Sequence, residues 1–309
     1  VDAGKADRSL IVGNIAAVAA IAAAGLLAGL LCTGSRLRRA VGLCLAATAV
    51  IPPWFASPSL FRGFLCLGSA MAVMRAVDLF RDRRSHPVAQ RIWHMFSPAD
   101  SRLLHHAPRS FDGRALGAAI AWLATSLVGL GGACLAAQAP SPASWLLRWM
   151  GGLLCAYGFV EALWSGTTGL YRLAGFTTPV LHDNPVASRS VRQLWGERWS
   201  RPVNIWIHAN VFKPCVRRGF PRAGLVAGFL TSAVLHAYAI FVGIGAGMAL
   251  VMLAYFFVQG LLVLLERPLG VQRWSGVAAH AWVLTVMVLT SPLFVEPFLQ
   301  CVGIPPSGR

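Results

Sequence analysis

Eight stretches of this chain are apolar enough and long enough to cross a bilayer, and no other feature limits the fold so strictly. They cover 10–32, 40–56, 60–80, 115–137, 143–165, 223–243, 245–265 and 275–298. A hydrocarbon core takes roughly 20 apolar residues per helix. Backbone polar groups find no water there, so each stretch must close its own hydrogen bonds. The second stretch is the weakest, because Pro52 and Pro53 break it near its end. Composition agrees. Hydrophobic residues make up 56% and charged residues 12%, against about 25% charged in soluble domains. A soluble enzyme, a disordered chain and a small disulfide scaffold are excluded. The expected fold is an all-α polytopic membrane protein with about eight transmembrane helices. These form one bundle over 1–309, with short interfacial or re-entrant helices and no separate soluble domain. Gly129, Gly131 and Gly132 permit close helix approach.

The net charge is +16, from 27 basic and 11 acidic residues. In a soluble chain that excess would suggest a nucleic-acid partner. Here its distribution argues otherwise. With eight crossings, segments 33–39, 81–114, 166–222 and 266–274 share one side, and they hold 21 of the 27 basic residues. Loop 138–142 carries no charge. The positive-inside bias then predicts a multi-pass protein of an inner or plasma membrane, with basic loops cytosolic and both termini outside. The first apolar run is too long for the core of a cleavable signal peptide.

Cysteine and histidine give no metal signature. The seven cysteines include no CxxC pair and read as small packed residues. His86, His94, His105 and His106 are irregularly spaced, with few acidic or cysteine neighbours. Their segment, 81–114, reads as a solvated interfacial loop with an amphipathic stretch. No metal is expected.

Segment 166–222 is too long for a simple connector, and loops of that length usually carry function. It mixes cations with Leu194, Trp195, Trp199, Ile205, Trp206 and Phe212. Pro202 suits a first helical turn, so 203–217 is expected to form a short interfacial or re-entrant helix. Just beyond it, His236 lies deep in an apolar run with Ser232 one turn earlier on the same face. An ionisable residue there faces a bundle interior or a wet cavity. It is either a general base or a packed histidine bonded to a backbone carbonyl.

The surrounding motifs resemble the wax synthase branch of the membrane-bound O-acyltransferases. Leu194-Trp195-Gly196-Glu197-Arg198-Trp199 is similar to that branch's aromatic-Trp-Gly-x-Arg-Trp block. Trp199-Ser200-Arg201-Pro202-Val203-Asn204-Ile205-Trp206 resembles the Trp-Asn-x-Pro-Val-His-x-Trp run of diacylglycerol and sterol acyltransferases. Ser232-Ala233-Val234-Leu235-His236 resembles the later Ser-Ala/Gly-x-x-His block. Phe256-Phe257-Val258-Gln259-Gly260 and Glu266 are similar to the Gln-Gly-then-Glu helix, and Pro179, Pro185 and Ser188 to the lead-in. The resemblance covers 171–298. Asn204 stands where the cousins carry histidine, Ser200 where Asn or His is usual, and Ala237 where Glu is common.

The resemblance implies transfer of an acyl group from acyl-CoA, a co-substrate rather than a bound cofactor, to the hydroxyl of a lipophilic alcohol. It implies His236 as general base, and Asn204 as a hydrogen-bond donor to the thioester oxygen or as the residue that orients an acceptor. The expected CoA-binding residues are Arg198, Arg201, Lys213, Arg217 and Arg218, with Trp199 and Trp206 packing or lining the channel. Ser232, Tyr238 and Gln259 are expected at the substrate cavity, and Glu266 is expected to pair with Arg267 or another arginine. Two rival readings remain: a membrane enzyme of other chemistry on an isoprenoid or lipid, and a non-catalytic lipid-binding or transport protein.

Overall fold

The computed structural model describes residues 3–82, 84–139 and 141–306, without the side chains of 3–8 and 137. Lys5, Arg8, Arg83 and Arg309 of the charge pattern therefore have no described side chain. The chain is an all-α polytopic membrane protein. Its helices are α1 (Ala3–Leu31), α2 (Arg36–Thr48), α3 (Ser59–Arg81), α4 (Val88–Phe96), α5 (Gly113–Leu135) and α6 (Ala143–Ala174). They continue with α7 (Val191–Gln193), α8 (Arg201–Ile207), α9 (Lys213–Arg217), α10 (Pro221–Ile244), α11 (Ala246–Leu265) and α12 (Gly276–Cys301). Among the described residues, seven helices are long and apolar enough to span a membrane: α1, α3, α5, α6, α10, α11 and α12. The chain divides into two compact units, one built on 1–102 with 238–246 and 301–303, the other on 103–237 with 247–300 and 304–309.

In the first unit, the expected span 40–56 is not a continuous helix. It is the 13-residue α2, a turn, and a 3-10 helix at Pro52–Phe55. Two consecutive prolines remove the amides a longer helix would need. The segment nevertheless runs back along its neighbours. Gly42 abuts Cys32 and Ala28. The Asn14 carboxamide exchanges bonds of 2.6 and 2.8 Å with the Ser57 backbone, and Ser69 Oγ donates to the Ala49 carbonyl at 2.7 Å. Alanines and a cysteine at 24, 28, 32, 46, 72 and 76 form the core here, so the backbones lie close.

Segment 81–102 contains the expected amphipathic stretch, α4. Its inner face meets Gly25 and Gly29 of α1 through Phe96, Met95 and Ile92. Arg91 is buried and donates through Nε to the Gly29 carbonyl at 2.8 Å and through Nη2 to Leu30 at 3.4 Å. It thereby satisfies carbonyls that the end of α1 leaves open. His86 pairs with Asp82, and His94 bonds Ser101 Oγ at 2.8 Å.

In the second unit α5 and α6 form a tight hairpin. A Cβ at Gly129 would lie 2.5 Å from the Cys155 amide nitrogen and the Gly151 oxygen, so only glycine fits. Gly132 also meets Gly151, at ordinary van der Waals distance, while Gly131 faces open space, so two of the three predicted glycines lie at the contact. α6 runs nine residues past its expected end and stops at Gly175, whose φ of 90° is the left-handed geometry of a helix end. His105–His106 pairs with Phe176–Thr177 in a two-residue antiparallel ladder. The predicted helix 203–217 is present as α8, a π-helical turn His208–Phe212, and α9. It rests on α10, with Ile207 against Gly228 and Phe212 against Gly224. Of the cysteines, 32, 66, 155 and 301 are buried, but Cys44 and Cys134 are exposed on apolar helices rather than packed.

Candidate active site around His236

Helix α10 carries His236 on a partly open face. Its Nδ1 lies 2.8 Å from the Ser232 carbonyl oxygen, one turn earlier. A carbonyl can only accept, so Nδ1 holds the proton of the neutral ring. The lone pair is left on Nε2, which has no hydrogen-bond partner among the described residues. Phe256 flanks the imidazole with centroids 4.7 Å apart, and Phe294 lies at 6.3 Å. The carbonyl-bonded ring of the packed reading is present, and the other ring nitrogen makes no hydrogen bond to the described residues.

The Trp-Gly block is held against α11 and α12 by buried polar bonds. Ser190 caps α7 by accepting from the Gln193 amide at 2.9 Å. Glu266 is 2% exposed; its carboxylate accepts from the Val191 and Arg192 amides, the latter at 3.0 Å, and from the Trp282 indole at 3.1 Å. The expected pairing with Arg267 is therefore incorrect. An anion at a helix start is favoured by the free amides there. The helix continues as a π-turn, Leu194–Arg198. This turn points the Trp195 indole at Gln259 Oε1, 3.0 Å away, while Gln259 Nε2 donates to Thr290 Oγ1 at 2.8 Å. Gln259 is fully buried, so it is a cross-link among three segments and not a cavity wall.

Asn204 also differs from expectation. Its Nδ2 donates to the Trp195 carbonyl at 3.0 Å and to the Gly196 carbonyl. Both N–H groups are committed, so in this conformation the side chain offers none to a thioester oxygen. The reason is local: a π-turn that ends at once leaves carbonyls without helical partners. Asn204 is carried back to them by Ser200, which takes a left-handed φ of 41° before α8 starts. The structure joins Asn204 to His236 indirectly. Asn204 holds the Trp195 backbone, the Trp195 ring lies 6.3 Å from Phe256, and Phe256 flanks His236.

The expected CoA ligands separate into two groups. Arg198 Nη1 donates to the Asp183 and Asn184 carbonyls at 2.9 and 3.2 Å, and Arg201 lies 3.8 Å from the Asp183 carboxylate. Those two brace the loop before the Trp-Gly block. Lys213, Arg217 and Arg218 are exposed along and just after α9, with no bonded partner among the described residues. Trp206 is buried core. Trp199 packs on His182 at 4.3 Å and on Trp195 at 5.7 Å. Ser232 contributes its carbonyl. Tyr238 is two residues from His236, on another face of α10, and donates to the Val50 carbonyl at 2.7 Å, which removes it from the His236 cluster.

One pair escaped the sequence reading. His182 Nδ1 lies 2.7 Å from Glu161 Oε1, and the His182 side chain is 2% exposed. Its ring packs at a tilt against Trp199 and Tyr157, at 4.3 and 5.3 Å, and those two rings also touch each other. The available signal was the carboxylate itself, since an acidic residue in an apolar run requires a partner.

No protein-family model matches the chain. A stretch of 51 residues is 41% identical to Diacylglycerol O-acyltransferase 1C of Glycine max. That stretch is 16% of this chain and 10% of the soybean protein, so the chain spans about a tenth of the relative's length.

Proposed function

We propose that this protein is a membrane O-acyltransferase of the wax synthase type, moving an acyl group from acyl-CoA to a lipophilic alcohol. The observation that carries the reading is the His236 tautomer, with Nδ1–H spent on the Ser232 carbonyl and Nε2 left as a base. The partial identity to a diacylglycerol O-acyltransferase supports acyl transfer as the reaction class. In the proposed step, Nε2 takes the alcohol proton as the oxygen attacks the thioester carbonyl. The tetrahedral intermediate then collapses, the C–S bond breaks, and the CoA sulfur recovers the proton from the imidazolium. No acyl-enzyme is needed. The apolar rings of Phe256 and Phe294 keep water from competing with the alcohol. Lys213, Arg217 and Arg218 receive the CoA phosphates, which places the basic segments on the acyl-CoA side of the membrane.

Purified protein in liposomes should release free CoA from acyl-CoA only when a lipophilic alcohol is present, with ester formed one for one. Ester-free turnover of an isoprenoid alcohol, or no CoA release across a panel of long-chain, terpenoid and aromatic alcohols, would overturn the assignment. The rival chemistries would then stand.

A further inference from the structure

The first unit carries a charged feature that acyl transfer does not use. Arg36, Arg39, Phe80 and Arg81 line a cavity of about 290 Å³ where α2 begins and α3 ends. Arg36, Arg38 and Arg39 occupy the first turn of α2, and no acidic residue does. That turn is the positive end of the helix dipole, where carboxylates are favoured and cations are not. Ser35 caps a single amide, that of Arg38, at 3.3 Å. Arg39 Nη1 donates to the Phe80 and Asp82 carbonyls at 3.2 and 3.1 Å. Its Nε is buried and has no partner among the described residues, although buried donors are normally satisfied. The neighbouring carboxylate, Asp82, is taken by Arg84 at 2.7 Å and His86 at 3.0 Å.

Like charges and an unfavourable dipole thus meet at one concavity, and an anion resolves both. We propose that this cavity binds the phosphate of an anionic membrane phospholipid. A guanidinium fork matches phosphate oxygens in pairs. The location favours lipid as the source. The cavity adjoins the end of α3, a candidate span, and Phe80 of that helix forms part of its wall. That ring gives the acyl chains an apolar surface next to the headgroup.

The test titrates the full-length protein in neutral detergent with dioctanoyl phosphatidylglycerol, dioctanoyl phosphatidylcholine or inorganic phosphate, reading the thermal midpoint and bound lipid by native mass spectrometry. Phosphatidylglycerol should raise the midpoint saturably, with one lipid retained. Arg36→Gln should weaken that binding about tenfold, the loss of one charge-assisted bond. Arg36 has no described partner, so this variant should fold normally. Arg273→Gln, an exposed arginine elsewhere, should bind as the wild type does. Wild-type affinity in Arg36→Gln, or equal stabilisation by phosphatidylcholine, would overturn the site. Equal stabilisation by inorganic phosphate would overturn the lipid as its occupant.

Discussion

At the scale of single residues, the polar groups around the Trp-Gly block answer backbone needs as well as chemical ones. His236 was legible as an ionisable residue in an apolar run with Ser232 a turn away. Its tautomer was not, because the Ser232 carbonyl is a feature every residue shares. Asn204, Gln259 and Glu266 stood out by residue type, yet their partners lie 8 and 9, 31 and 64, and 16, 74 and 75 residues away. Both partners of Asn204 and two of the three partners of Glu266 are main-chain groups that no motif displays. The commitment of Asn204 leads to a sharp expectation. In Asn204→Asp a carboxylate faces the Trp195 and Gly196 carbonyls, donates nothing and repels them. The change should cost about 2 kcal/mol or more of stability and lower the thermal midpoint. An Asn204→Asp protein as stable as the wild type would show that the π-turn does not depend on this amide.

Among elements, the recurring device is the paired buried charge. Three carboxylates sit in candidate spans, and each meets a base. Asp78 is 2.7 Å from Arg102, Glu161 is 2.7 Å from His182, and Glu296 takes the Arg148 guanidinium fork at 2.7 and 2.8 Å. The Arg148–Glu296 pair joins α6 to α12. Removing one partner strands the other, so Arg148→Met should destabilise by about 3–5 kcal/mol, while Arg148→Met with Glu296→Leu should recover most of it. A double variant no better than the single would contradict the pairing. The Asp100 carboxyl in the segment after α3 makes a pH-dependent case. Burial alone would raise its pKa, but Arg102 and Arg75 outweigh that and hold it at about 2. A value below the usual carboxylate value of about 4 means its stabilisation is full above that pH and lost as pH falls through about 2. Asp100→Asn should therefore flatten the acid limb of the stability curve, measured by thermal midpoint from pH 7 down. An unchanged acid limb would remove Asp100 as its source. No motif displays these pairs: a carboxylate in an apolar run signals that a partner exists, but not which residue it is. The same holds for α2, where Pro52 and Pro53 announced a broken helix but not that 36–57 still runs back along α1.

For the whole chain, the apolar runs made the all-α membrane fold readable, because the period of such runs and their length follow from the bilayer itself. Their ends were less readable. α6 continues to Ala174 since nothing before Gly175 stops it. In the first unit the return of 36–57 brings Arg39 to the end of α3; one basic side for all four segments is a prediction. Single cysteines placed at Ser35 and Gly219 in a cysteine-free variant should react with a membrane-impermeant thiol reagent from the face opposite to one at Ser141. Labelling of all three from one face would contradict that arrangement.

The proposed mechanism depends most on His236 as the base. The direct measurement is transfer of labelled acyl groups from acyl-CoA to a lipophilic alcohol by His236→Ala protein, alongside its thermal midpoint. The expected result is a rate lower by about 10²–10⁴-fold in a protein that melts with the wild type. Transfer at the wild-type rate by His236→Ala would contradict the mechanism.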